Sequence, residues 1–143
     1  MFTLTLVTPE KKIVAGQEVE EVFVPGYRGE LNILPGHAPL LTALRPGVLK
    51  YRLKGQERLN YVSVSGGYCQ VNPTGVNVMA EAAERPEELN VARSEAVLKD
   101  VESRMLNEVL DEVTLKKSQE KIARARARLD LAKLNVTGKG IEQ

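Results

Sequence analysis

The chain of 143 residues has one cysteine, one histidine and no tryptophan. A lone thiol, Cys69, cannot close an internal disulfide, so nothing points to an oxidising compartment. His37 and Cys69 together fall short of the about four nitrogen or sulfur donors that a structural zinc site takes. An excess of one charge is also missing: 20 Lys and Arg stand against 19 Asp and Glu, a formal charge of +1. Proteins built mainly for nucleic acid or anionic membranes carry a basic surplus, so neither partner is expected. Long apolar runs are absent. The longest uncharged stretch, Leu59 to Ala80, is interrupted by Asn60, Gln70, Asn72, Pro73 and Asn77, and cannot cross a bilayer as one helix. The first residues, Met1 to Val7, have no basic leader and run quickly into Glu10-Lys11-Lys12, which fits neither a secretory signal nor an Arg/Ser-rich transit peptide. A soluble, intracellular chain is the expectation.

Catalytic signatures are lacking too. No Gly-x-Ser-x-Gly elbow accompanies the single histidine. Ser65-Gly66-Gly67 opens onto a strand without the lysine and following helix of a phosphate-cradling loop, and reads as a turn or bulge where backbones approach closely. Glu20 and Glu21 are adjacent on a strand, so their carboxylates are expected on opposite faces rather than in one site.

What is present is unevenly divided. All six aromatic residues lie at or before Tyr68, and six of the seven prolines and nine of the eleven glycines precede Pro86. Two kinds of polypeptide meet near Glu84-Arg85-Pro86. In the first, apolar residues alternate with polar ones: Phe2, Leu4 and Leu6, then Leu49, Tyr51 and Leu53, then Val76, Val78 and Ala80. Turn signals separate these runs at Pro9, Pro25-Gly26, Pro35-Gly36, Pro46-Gly47, Gly55, Gly66-Gly67 and Pro73-Thr74-Gly75. Short strands at this spacing predict an antiparallel sandwich. Parallel pairs are not expected, because no crossover helices fit between the runs.

Beyond Pro86 the period changes to that of a helix. Val91, Ser94, Leu98, Val101, Met105 and Val109 form one thin stripe; Leu115, Ser118, Ile122, Ala125, Leu129, Ala132 and Val136 form another. Residues 87–112 hold eight acids and three bases, a net −5, and residues 113–143 hold three acids and eight bases, a net +5. A helix of each sign folding back on the other is favoured, though exposed pairs contribute only about 0.2–1 kcal/mol each. The reversal is expected between Glu108 and Thr114. The fold class is therefore α+β in two units: a β-sandwich over 1–85, then an antiparallel two-helix hairpin over 86–143, fraying from about 137. On the second helix Lys117, Lys121, Arg124 and Arg128 are expected on the side away from the apolar stripe, with Arg126 at its border. They read as a solvated face or as a dock for an acidic surface. Without a nearby aromatic to stack bases, nucleic acid does not fit.

The stretch Gly29-Glu30-Leu31-Asn32-Ile33-Leu34-Pro35-Gly36-His37-Ala38-Pro39-Leu40-Leu41-Thr42-Ala43-Leu44-Arg45-Pro46-Gly47 resembles the signature of the ε subunit of bacterial and chloroplast F-type ATP synthase. Val64-Ser65-Gly66-Gly67-Tyr68 and the closing Ala/Arg/Leu-rich helix sit where that family has their equivalents, so the resemblance spans the chain. Asn32 stands where the family usually has glycine. The resemblance implies a non-catalytic rotor component: a ten-stranded sandwich bound to the γ subunit in the central stalk and touching the membrane c-ring, on the cytoplasmic face of the bacterial inner membrane. The role that the resemblance implies is coupling of ion transport to ATP synthesis. The resemblance maps ring contact onto Arg28 and Glu30, and a structural or γ-facing role onto His37. It also implies a regulatory hairpin that lies against the sandwich or extends into the α/β hexamer, where Lys121, Arg124, Arg126 and Arg128, with Lys133 beyond, meet an acidic loop and block ATP hydrolysis. No cofactor is required. Some family members bind ATP through Ile/Leu-Asp-x-x-Arg-Ala, which maps onto Leu89, Asn90 and Arg93, with Asn in place of Asp and Ser94 in place of Ala. The alternative from another class is a free-standing sandwich adaptor with a coiled-coil arm.

Overall fold

The computed structural model describes residues 2–88, 90–107 and 111–142, with residue 88 and residues 135–142 described in backbone alone. Nine strands come first: β1 (Thr3–Val7), β2 (Lys12–Gly26), β3 (Gly29–Ile33), β4 (Leu40–Ala43), β5 (Gly47–Leu53), β6 (Leu59–Ser65), β7 (Tyr68–Asn72), β8 (Gly75–Met79) and β9 (Ala82–Glu84). A short 3-10 turn (Pro86–Glu88) leads to α1 (Val91–Asn107) and α2 (Glu112–Glu142).

β2 organises the sandwich. Its first half pairs with β1 in the layer that continues through β8, β7 and β4, while its second half lies between β3 and β5 in the layer that ends at β6 and β9. A strand this long must bend to serve two layers, and irregularities mark where it does. Between Leu4↔Gln17 and Leu6↔Val14 the register shifts, next to Gly16 at φ +60. A second shift lies between Leu6↔Val14 and Val7↔Lys12, and a third between Val19↔Leu53 and Glu21↔Arg52. The described residues thus form nine strands where the resemblance implied ten, with β2 long enough to serve both layers.

Between the layers, Phe2, Leu4, Leu6, Val14, Val22, Val24, Ile33, Leu49, Tyr51, Val62, Val64, Val71, Val76 and Val78 are buried, as the period-2 alternation requires. Cys69 is among them, and burial pushes its thiol up to about 12, which leaves it an inert core residue.

Two sequence expectations need correction, and the departure at Asn32 finds its setting. One pair is parallel: β1 runs alongside β8 with Leu4 opposite Val76 and Leu6 opposite Val78. The crossover that this demands is supplied by the whole second layer instead of a helix. Glu20 and Glu21 do converge, since both pair with the Arg52 guanidinium, Glu21 at 3.1 Å. The shift in β2 places Glu20 as the extra residue, which turns its side chain round to the same arginine. Asn32 lies opposite Phe23 in β3, and no residue but glycine has positive φ among those described, so glycine has no conformational advantage there.

α2 is buried on two sides. Ala125 and Ala127 are both buried, although two residues along a helix point about 200° apart. The two covering elements are α1 and the β5–β6 surface. Leu134 lines a cleft with Pro46, Val48 and Lys50, which assigns the Ala127–Leu131–Leu134 stripe to the sandwich. Ser118, Ile122, Ala125 and Leu129, on the opposite side, remain for α1, whose Ser94 and Val101 are buried. The stripe read from sequence was therefore one of two. α2 also continues through Gly138 and Gly140 instead of fraying near 137; glycine costs about 1 kcal/mol in a helix but keeps its backbone N–H. Of the predicted reversal, residues 108–110, with Val109 among them, lie outside the described residues.

Gly66 (φ +68) and Gly67 (φ +93) form the turn between β6 and β7. A Cβ on Gly67 would lie 1.9 Å from the Met79 carbonyl oxygen. Gly67→Ala is expected to cost at least ~2 kcal/mol, read as a lower denaturant midpoint with unchanged slope.

Candidate functional site

Two surfaces hold most of the residues singled out above. The first is the tip of the β2–β3 hairpin. Gly26 pairs with Gly29, which leaves Tyr27 and Arg28 as a two-residue turn, and both side chains project into solvent. Backbone bonds of 2.9 Å from Tyr27 N–H to the Ala43 carbonyl and from Arg45 N–H to the Pro25 carbonyl fasten the tip beside β4 and the β4–β5 connection. The Glu30 carboxylate lies 3.3 Å from Lys50 Nζ and is half exposed. Arg28 and Glu30 therefore share the tip. His37 does not: it follows Ile33 at the far end of β3, about 15 Å away along the strand. There its Nδ1–H donates to the Ala38 carbonyl at 2.7 Å, and Gly36 N–H bonds to Pro73 in the β7–β8 turn.

Near the tip the outer face of one layer carries a feature absent from the sequence reading. Ala43, Tyr68, Met79 and Val7 stand in one cross-strand row over β4, β7, β8 and β1. Tyr68 and Met79 are exposed, as is Leu41 in the next row. The clue was available: on β7 and β8 an apolar residue also occupies a position that alternation turns outward.

The second surface is the interface between α2 and the sandwich, where the basic residues are not all solvated as expected. Lys117 and Lys121 are exposed. Arg124 faces Glu120 one turn back at 3.9 Å, Arg126 donates to Glu102 on α1 at 3.2 Å, and Arg128 Nε donates to Glu84 on β9 at 2.6 Å. Arg124 and Arg128 flank the buried Ala127–Leu131 stripe, so the reading of a purely outward face is corrected at these two positions. The second stripe, Ala127–Leu131–Leu134, interleaves with these arginines along the helix and hid the side they lie on.

Asn90 caps α1: its side-chain oxygen accepts from Arg93 N–H at 3.0 Å, and its carbonyl takes the Ser94 N–H. Arg93 is exposed, and Leu89 lies outside the described residues. A cleft of about 250 Å³ lined by Glu84, Asn90, Arg93, Ser94, Val97 and Arg128 adjoins this cap, below the ~300–1,000 Å³ usual for ligand pockets. Among the described residues, no helix is long and apolar enough to cross a membrane.

Comparison with known proteins decides the family. Residues 1–86 match the ATP synthase Delta/Epsilon chain beta-sandwich domain. The chain is also similar to an ATP synthase epsilon chain from Bdellovibrio bacteriovorus, 48% identical over 90% of this chain and 92% of that one. The chain belongs to the ATP synthase epsilon chain family. An epsilon chain from Dehalococcoides mccartyi is 40% identical over 90% of both chains. Among solved structures, a chain of the Euglena gracilis mitochondrial ATP synthase OSCP/F1/c-ring assembly superposes with TM-score 0.79 at 22% identity, over 92% of this chain and 80% of that one. A chain of the Tetrahymena thermophila mitochondrial ATP synthase central stalk and c-ring gives 0.68 at 16%, over 92% and 96%. At those identities the two structures speak for the shared fold. As an epsilon chain, the protein is a non-catalytic subunit of ATP synthase, and the adaptor alternative falls away.

Asp111 starts α2 in this epsilon chain. Its carboxylate accepts the Thr114 N–H at 2.7 Å, and that bond, with one from the Thr114 hydroxyl, holds its carboxyl below the usual carboxylate range. A depressed carboxylate stabilises the fold above its unfolded value of 3.8, and the contribution is lost as pH falls through the folded value. Amide exchange in the first turn of α2, corrected for intrinsic rates, should therefore quicken selectively as pH drops from about 5 to about 2, and Asp111→Ala should abolish that selectivity.

Proposed function

We propose that the chain works in the central stalk as a reversible brake: it couples ion-driven rotation to ATP synthesis when its hairpin is closed and restrains ATP hydrolysis when the hairpin opens. One observation carries this reading: α2 is held on two opposite faces by small apolar residues and partly exposed ion pairs. Neither contact is deep. Partly exposed pairs add little each, and a stripe of alanine, leucine and arginine can separate without leaving a large apolar core in water. A gap of a few kcal/mol between two positions is what a switch requires.

The surfaces divide the partners. Arg28 and Glu30 present opposite charges at a narrow tip that suits the polar loops of a c-ring. The exposed row of Tyr68 and Met79, with Leu41 beside it, is the apolar face we assign to γ; depletion of charge and enrichment in aromatic and Met side chains mark interface cores. His37, at the opposite end of β3, belongs to loop structure or to the γ side and not to the ring contact. Lys121, Arg124, Arg126 and Arg128 are the cations for an acidic surface of the α/β hexamer, with Lys133 one turn further. On this reading the chain works peripherally, at the cytoplasmic face of a bacterial inner membrane. The reading assigns the chain no required cofactor, and Asn90 the part of a helix cap beside a small cleft. A regulatory ATP near Leu89, Asn90 and Arg93 is the weaker reading.

The test is ATP hydrolysis by the reconstituted complex with the chain ended after Pro86. Hydrolysis should rise severalfold while ring-driven synthesis persists; no rise would reject the brake. In the full chain, Arg124→Glu with Arg128→Glu should relieve inhibition to a similar degree, and unaltered inhibition would remove the docking role of these two cations.

A further inference from the structure

The arginines of α2 differ in what must move to free them. Arg124 is held within its own helix and Arg126 within the hairpin, by Glu102 of α1. Arg128 is tied across to the sandwich by Glu84. This contact is also the most sheltered of the three, with side chains 35% and 29% exposed, against 64% and 43% for Arg126–Glu102. A half-buried, charge-assisted hydrogen bond is less screened than a surface pair.

Glu84 is anchored where such a contact has most effect. Its backbone pairs with Ser63 in β6, so the carboxylate rides on the sheet, yet it lies just before the Pro86–Glu88 turn from which the hairpin departs. The pair closes over the start of α1, in the cleft shared with Asn90, Arg93, Ser94 and Val97. Pulling α2 off the β5–β6 surface breaks the pair and leaves both charges without each other.

We propose that Glu84 is the latch of the hairpin, and that it competes directly with an acidic partner surface for the guanidinium of Arg128. This rests on the reading of α2 as a docking helix. One guanidinium cannot serve both carboxylate sets in the same geometry, so closure and docking exclude each other at this side chain. Lys117 and Lys121, already exposed, meet a partner before opening, whereas Arg128 becomes available only after it. The latch is made of two side chains of the chain itself, so the closed state needs no nucleotide to bridge α2 to the sandwich.

The experiment uses the full-length chain labelled with spin probes at Gln56→Cys and Lys117→Cys, the native Cys69 being buried. The distance distribution reports the ratio of open to closed hairpin. Glu84→Gln should raise that ratio about tenfold. The exchanged pair, Glu84→Arg with Arg128→Glu, should return it to the value of the unaltered chain, which separates loss of the pair from damage to β9. A ratio within about twofold of the original in Glu84→Gln, or an exchanged pair as open as the single variant, overturns the latch. The same variants in the complex keep the two readings apart. If Glu84→Gln opens the chain and hydrolysis does not respond, the latch stands and the brake fails. If the ratio is unmoved while truncation still releases hydrolysis, the latch fails and the brake stands.

Discussion

The seating of α2 between α1 and the β5–β6 surface is the contact on which the working of this molecule depends. The sandwich has a dense core of its own, built around β2, and does not need the helices to hide its apolar interior. The hairpin has no comparable core. Ser94 and Val101 on one helix and Ala125, Ala127 and Leu131 on the other are the buried residues it offers among those described. Small side chains permit close approach but bury little area, and at about 25 cal/mol per Å² little area means little hold. The rest of the attachment falls to charge pairs, which are selective about partner and sensitive to salt. A stable platform carrying a lightly held arm follows from that division.

The platform has its own demands. A sandwich must turn its chain from one layer to the other, and here a single strand does so, with irregular register at three places along β2. The third irregularity gathers Glu20 and Glu21 onto Arg52, three charges on the outer side of the strand where the layers diverge. The hairpin at the end of β2 emerges as a narrow tip with Tyr27 and Arg28 in solvent and Glu30 paired with Lys50. Structural necessity and candidate function meet on the same strand: its bends make the layers, and its end makes the tip.

Much of this was legible from residues alone, in proportion to how local the cause was. Phe2-Thr3-Leu4-Thr5-Leu6 announces a half-buried strand because alternation is a property of five neighbours. Gly66-Gly67 announces a turn because the φ values needed there exclude most other residues. The stripe through Ser94 and Val101 was visible because one face of α1 is covered. Long-range causes left no such trace. The parallel pairing of β1 with β8 depends on a layer threaded between them, and the meeting of Glu20 with Glu21 on a register shift set by the partner strand. The second face of α2 was missed because Ala127 and Leu131 stand among Arg124, Arg126, Arg128 and Lys133, although both are buried there. For the same reason Arg128, which looked solvated, proved to be joined to a carboxylate 44 residues earlier.

The central claim is that α2 moves relative to the sandwich when the complex stops hydrolysing ATP. It is tested most directly by the distance between probes at Gln56 and Lys117 in the assembled complex, followed while ATP is hydrolysed and then while an ion gradient drives synthesis. The account predicts two distances: the short one of the structure during synthesis, and a longer one whose population tracks the fraction of inhibited complexes. A single short distance, unchanged while inhibition comes and goes, would contradict it.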